Sequence, residues 1–424
     1  MYMSERDHTV EINTKIVESI GSSKISWIDV CRADEVVPGL EGKTLYHAGP
    51  PLDPSTMCSA MCNAVYGALV YEGWAEDLEK AILIVQSGDI RFDSAHDHSA
   101  LGPMAGIISP TMPVVVMENT TFGNRSYVTL NEGLGKTLRF GANDSSVIER
   151  LQWIDTILGP LLKEALQLSG PVDITTIMAR AVQRGDECHN RNKAATSLLI
   201  RKIAPWLVRT SFSKEDIADV LIFMDSNDHF FLNLSMAATK ATMDVAHKIK
   251  GGSLVSCMAA NGVEFGIKVC GCGKKWYTSS AECAEGNYFE GYGIDDANPV
   301  MGDSYISETA GLGGVAMGLA PGIVQFIGGT VQEAITGTLE MYSITAAEHP
   351  LYKIPSMDFR GTPLGIDVRL VLEKSILPII NTGIAHKKPG IGQIGAGRFR
   401  PPNRCFKLAA SDLVYIEHTT IQGG

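Results

Sequence analysis

The chain has 424 residues, of which 45% are apolar and 20% charged, with a formal net charge of −11. That length allows two or three domains with ample core, and the negative balance argues against nucleic acid, since no basic surface is available for phosphates. The opening MYMSERDHTVEINTK holds no apolar run of the signal-peptide kind. Nine scattered cysteines, mostly beside small or apolar residues, read as reduced thiols of a cytoplasmic protein without a membrane partner.

In chain order, residues 9–20 form an amphipathic pattern, and a strand is expected at Ile25–Val30. Leu45–Ala48 ends in a turn, because Pro50 and Pro51 cannot continue a ladder. Helices are predicted over Ser55–Gly73, apolar nearly all round and therefore buried, and over Ala75–Ser87. Pro113–Met117 is an apolar strand, with Ser126–Leu130 as its partner. Residues 144–250 then carry only helical patterns, with Ser145, Asp173, Asp186 and Ser213 at candidate N-caps. Gly251-Gly252 closes that stretch. Beyond it, Asn261-Gly262 between two apolar runs signals a type I′ hairpin. The expected architecture is α+β and multidomain: a mixed part over 1–143, an all-helical part over 144–250 and a glycine-rich mixed part over 251–424.

The stretch from Asn298 to Gly329 begins with Asp303, Ser304, Ser307, Glu308 and Thr309, then runs twenty residues without a charge, seven of them glycine. Such glycine density implies close backbone packing and disfavours a lipid-spanning helix. From Trp276 to Tyr352 there are ten acids and no Lys or Arg, whereas Lys374–Ser411 holds seven Lys and Arg and no acid. An acid-only stretch and a basic-only stretch can face each other across a cleft for a small charged substrate. The catalytic candidates are therefore Asp303 and Glu308 as acid–base or amine-orienting groups, with His386 or His189 as proton carrier.

The anion-binding candidates lie in two glycine-bordered segments and a few outlying residues. In His386–Arg400, Lys387, Lys388, Arg398 and Arg400 flank the bare amides of Gly390 and Gly392, a composition suited to an anion-binding turn. In Gly185–Lys193 a helical reading places Asp186, His189, Asn190 and Lys193 on one face, near Arg191 and free helix amides. Arg360 and Asn381 complete the set. His96 and His98, one residue apart on a presumed strand with Asp93 near, show no fourth metal ligand. Cys270, Cys272 and Cys283 have no zinc spacing and read as packed thiols. Partial matches to phosphate-loop and dinucleotide fingerprints fail on context, so neither a cofactor nor a metal is indicated.

Strings such as GDECHNRN and INTGIAHKKPGIGQIGAG, with His47–Pro51, Gly102–Pro110, Asn131–Ala142, Asn298–Phe326 and Arg360–Asp367, resemble the YlbE-type family of bacterial proteins. The family pattern usually has a serine at the position of Cys270 and an acid at that of Lys274. This resemblance implies an α+β fold with a helical insert. It implies a subunit of an oxamate carbamoyltransferase in allantoin breakdown, which interconverts oxalurate plus phosphate with oxamate plus carbamoyl phosphate. It also implies an oligomeric assembly with an FdrA-type subunit similar to acyl-CoA synthetases. A non-catalytic or regulatory partner of that subunit is the alternative, and a metal-dependent amide hydrolase using His96, His98 and Asp303 or Glu308 is a third. The carbamoyltransferase phosphate motif S-x-R-T-R is absent, so any such activity needs a different site architecture.

Overall fold

A computed structural model of the chain describes residues 5–422. Helix makes up 46% and strand 22%, and among the described residues the strands form five separate small sheets, which is an α+β fold. The first sheet has five strands in the order Ala100–Leu101, Arg125–Thr129, Pro113–Asn119, Ile25–Arg32, Val172–Asp173. A second, four-stranded sheet runs Tyr277–Ser280, Glu264–Val269, Val255–Asn261, Met301–Gly302. In a third, Gln393–Phe399 lies between Glu285–Tyr288 and Ile380–Ala385. There the acid-only and basic-only stretches meet as antiparallel neighbours, with Glu285 opposite Arg398.

Local sequence sets most boundaries. The first helix is longer than the periodicity predicts, Glu5–Ser22. The helix expected from Ser55 begins at Ser59, because Asp53 and Pro54 first make a separate 3-10 turn over Pro54–Thr56. The next begins at Leu78, where the Asp77 carboxylate accepts from the Lys80 amide at 2.8 Å. Asp144, rather than Ser145, caps the helix that follows. That helix continues to Ser169 through a π-helical turn at Ile154–Leu158. The turn lies just before Pro160, whose ring and missing N–H disrupt ordinary α-helical bonding. At the Asn261-Gly262 hairpin, Gly262 has φ 83° and the Asn261 carboxamide accepts from the Val263 and Glu264 amides. A type I′ turn would instead require both central residues at positive φ.

The helix Phe230–His247 is the centre of the molecule. Its sequence, FFLNLSMAATKATMDVAH, is apolar or small nearly all round, and almost every residue is buried. It packs on Pro113–Asn119 and Arg125–Thr129 of the first sheet, on the first helix and on Val255–Asn261. Ser126 donates to the Ala237 carbonyl at 2.6 Å and Asn124 to that of Ala241 at 2.8 Å, so the helix is keyed to the sheet by hydrogen bonds. One hydrophobic core accordingly includes Ile16 and Val115, Leu199 from the helical stretch, and Phe265 and Ile394 from the last part. The helical stretch also contains one short strand, Val172–Asp173, which pairs with Ser26 and Trp27 at the edge of the first sheet. No described helix is long and apolar enough to cross a membrane.

Candidate functional site

Residues 185–192 are a loop, not the first turns of a helix. The Glu187 carboxylate accepts from the amides of His189 at 2.9 Å and Arg191 at 2.5 Å, and Cys188 takes a left-handed φ of 56°. These local bonds displace the helical pattern, so Asp186, His189, Asn190 and Lys193 do not share a helix face. Asp186 instead reaches forward and accepts from Ala195, capping the helix Lys193–Leu207. Burial raises its pKa to about 6. Arg191 is held by the Gly185 carbonyl at 3.0 Å and lies 3.4 Å from Asp186, while Lys193 pairs with Asp228 on the surface.

The loop delivers His189 to Glu308. Their Nδ1 and Oε1 atoms are 2.9 Å apart, and the two side chains are 1% and 0% exposed. Glu308 Oε1 also accepts from the amides of Gly314 at 2.8 Å and Asn381 at 3.2 Å. Gly313, between them at φ 60°, leaves the needed room: a Cβ there would lie 2.3 Å from Glu308 Oε1 and 2.9 Å from His189 Nδ1. Burial opposes charge on His189, but Glu308 more than offsets it and holds the imidazole above its ordinary range. Burial pushes Glu187 up to about 8, with Glu308 adding to the effect, so Glu187 is mainly neutral near pH 7. Three predicted residues, His189, Glu308 and Asn381, thus come together from three distant parts of the chain.

Their surroundings hold buried polar atoms without partners. Glu308 Oε2, both carboxamide atoms of Asn381, Asn190 Nδ2 and Ser307 Oγ are all buried with no hydrogen-bond partner in the structure. Native interiors rarely leave such groups unsatisfied, so five such atoms on residues at or beside one His–carboxylate pair make this the candidate site. Glu187 and His229 were given no role by the sequence, and Ser307 stood out only as one of the hydroxyls beside Glu308. The His229 ring bonds to the Asn190 backbone, and burial drives its pKa down to about 4. The one available signal was the density of GDECHNRN, but reading it as a helix turned attention away from Glu187.

Asp303 goes elsewhere. Its Oδ1 accepts from the Gly49 amide at 2.7 Å and its Oδ2 from the Gly102 amide at 2.8 Å. His96 Nε2 lies 3.2 Å from Oδ1, with both side chains fully buried. Burial opposes charge on His96, but Cys257 and Asp303 together raise its pKa to about 9. His96 and His98 sit on a 3-10 turn, Ala95–His98, rather than a strand, and diverge. His98 stacks on Tyr46 and contacts Asp93 at 2.8 Å. The described residues contain no cluster of three or more His, Cys, Asp or Glu arranged to hold a metal.

Most of the predicted cations are committed locally. Arg360 pairs with Glu348 at 2.7 Å and lies over the Tyr342 ring, and Arg400 pairs with Glu340 at 2.5 Å. Arg398 approaches Glu333 at 3.8 Å. Lys387 donates to the Asp295 carbonyl. His386 Nδ1 accepts from the Lys388 amide at 2.8 Å, making it the pin of its own turn. The structure does not bring these basic side chains onto the His189–Glu308 pair; they fix the loop that carries Gly390 and Gly392. That loop reaches the Gly133–Gly135 turn, since a Cβ on Gly392 would lie 3.4 Å from the Gly135 carbonyl oxygen.

Residues 90–304 match the family model described as oxamate carbamoyltransferase subunit AllG. The Escherichia coli protein of that name is 45% identical over 95% of this chain and 97% of its own length. A second Escherichia coli protein, the uncharacterized YahG, is 44% identical over 95% of this chain and 85% of its own. A crystal structure of a conserved Enterococcus faecalis protein of unknown function, 44% identical, superposes with a TM-score of 0.96 over 98% of this chain and 99% of that one. At such identity over nearly the whole length, the chain belongs to the family of the oxamate carbamoyltransferase subunit AllG.

Proposed function

We propose that this chain is a subunit of an oxamate carbamoyltransferase and that it contributes catalytic groups to the transfer. The observation that carries the catalytic part is the buried His189–Glu308 pair, with unpartnered polar atoms of Asn381, Asn190 and Ser307 around it. In the oxalurate direction, phosphate oxygen attacks the carbamoyl carbon, the bond from that carbon to the oxamate nitrogen breaks, and the nitrogen takes up a proton. His189, whose charged form Glu308 favours, is the donor of that proton. The Asn381 and Asn190 carboxamides and the Ser307 hydroxyl are suited to receive the carbonyl oxygen as it becomes tetrahedral. Neutral Glu187 braces the loop without placing another negative charge beside an anionic substrate.

An FdrA-type subunit is the proposed partner, and small anions (oxamate, oxalurate, phosphate or carbamoyl phosphate) are the proposed ligands. Carbamoyl phosphate formation from oxalurate and phosphate tests the reading, with this chain and its partner subunits combined. His189→Gln is expected to lower the rate about 10²–10³-fold without changing assembly. The near-complete burial of both side chains favours one second reading, a non-catalytic subunit that completes its partner. An assembly with His189→Gln that turns over at the full rate supports that second reading and rejects the first.

A further inference from the structure

We propose that Arg139 is an anion-binding residue of this buried site, with a small carboxylate or phosphate as its ligand, because its guanidinium is enclosed near the His189 loop with its Nε donor unmet. Arg139 is 6% exposed and sits on the short turn Leu138–Phe140. Its Nη2 donates to the Gly133 carbonyl at 2.9 Å, while Nε is buried without an acceptor. Two positions earlier, Thr137 Oγ1 is also buried without a partner. Among the described residues no carboxylate lies within ion-pair distance of the guanidinium. Glu132, the carboxylate that interacts with Arg139 electrostatically, spends its oxygens on the amides of Leu138 at 2.6 Å and Arg139 at 3.2 Å. It balances the charge of Arg139 through space without accepting from the guanidinium, so Nε stays without an acceptor.

Hydrogen bonds tie this turn to the candidate site. Asn131 donates to the His229 carbonyl at 3.0 Å and accepts from the Gly133 amide at 2.9 Å, and Gly133 in turn holds Arg139. The His229 ring bonds the backbone of Asn190 and interacts electrostatically with both Arg139 and His189. Burial, then Arg139, keep that ring neutral, so it adds no competing cation. The adjoining Gly135 carbonyl meets Gly392, which places the turn where the candidate loops converge. A buried guanidinium with an unmet Nε–H is suited to bonding the oxygens that carboxylates and phosphates offer.

This inference rests on the carbamoyl-transfer reading only for the identity of the anion. The test is calorimetric titration of the full chain with inorganic phosphate and, separately, with oxamate, each against a chloride control of equal ionic strength. Saturable binding of at least one is expected, weakened tenfold or more in Arg139→Gln. Arg139→Lys should recover part of the phosphate affinity but little of the carboxylate affinity, which separates the two sources. Thr137→Val, which changes no charge, should weaken binding several-fold and serves if Arg139→Gln does not fold. No saturable binding of either anion by the wild type overturns the proposal. So does unchanged affinity in a folded Arg139→Gln, or in Thr137→Val where that variant alone can be read. If Arg139-dependent binding holds while His189→Gln assemblies keep full turnover, the catalytic reading fails and this site stands.

Discussion

His96 and His189 are both buried imidazoles beside a carboxylate, and what surrounds each carboxylate separates their roles. Asp303 is fully engaged, by Gly49, Gly102 and His96, which is how a structural ion pair is built. Glu308 keeps Oε2 free, next to other unpartnered atoms. The charge on His96 makes a prediction with a definite sign. Its pKa is raised to about 9 from 6.5, so its stabilisation is complete below 6.5 and is lost as pH rises through 9. Denaturant unfolding should show that about 3 kcal/mol disappears over this interval in the wild type, and that His96→Gln lacks the decline. Superimposable pH profiles would mean that His96 is not charged in the fold. Part of this arrangement was legible in the sequence, because His189, Asn381 and Glu308 stood out in dense polar or glycine-bordered strings. The partners of the cations were not. Arg360 meets Glu348 only because a hairpin folds the chain back on itself, and Arg400 meets Glu340 from a separate element.

The chain between Gly185 and Lys193 shows how one carboxylate can redirect an element. A 3.6-residue pattern predicted helix there, but Glu187 binds two following amides, and the helix waits until Lys193. Asp186 then works as a cap from a distance, and its pKa of about 6 means that folding opposes its ionisation. Stability from this group therefore falls as pH rises from 3.8 towards 6, because the unfolded chain ionises first. Asp186→Asn preserves an acceptor oxygen and removes that cost. It should match the wild type near pH 4 and exceed it by up to about 3 kcal/mol at pH 7. Asp186→Ala, which loses the cap, should be about 1–2 kcal/mol less stable than Asp186→Asn at every pH. A constant offset between wild type and Asp186→Asn across the range would refute the account. Elements elsewhere were readable where local chemistry decides them, as with the apolar strand Pro113–Asn119 and the Ser213–Asp216 capping box. The strand Val172–Asp173 was not, since its pairing depends on a sheet edge supplied by Ile25–Arg32.

Across the whole molecule, composition indicated the α+β class and the long helical stretch, but it could not show how the parts share a core. The helix Phe230–His247 supplies interior to the sheet before it and to the sheet after it. A fragment of residues 1–143 should therefore leave the strand Pro113–Asn119 uncovered on that face, with an apolar sequence prone to pairing with other chains. Such a fragment is expected to be insoluble or to run as aggregates on size exclusion, and a monodisperse, cooperatively unfolding fragment would contradict this. The same helix has a consequence during synthesis. Pro113–Asn119 leaves the ribosome long before Phe230 does, so the nascent chain carries a finished strand with no cover while the intervening helices are being made. How fast translation crosses that interval, and whether a holdase shields the strand meanwhile, then govern the yield of native protein.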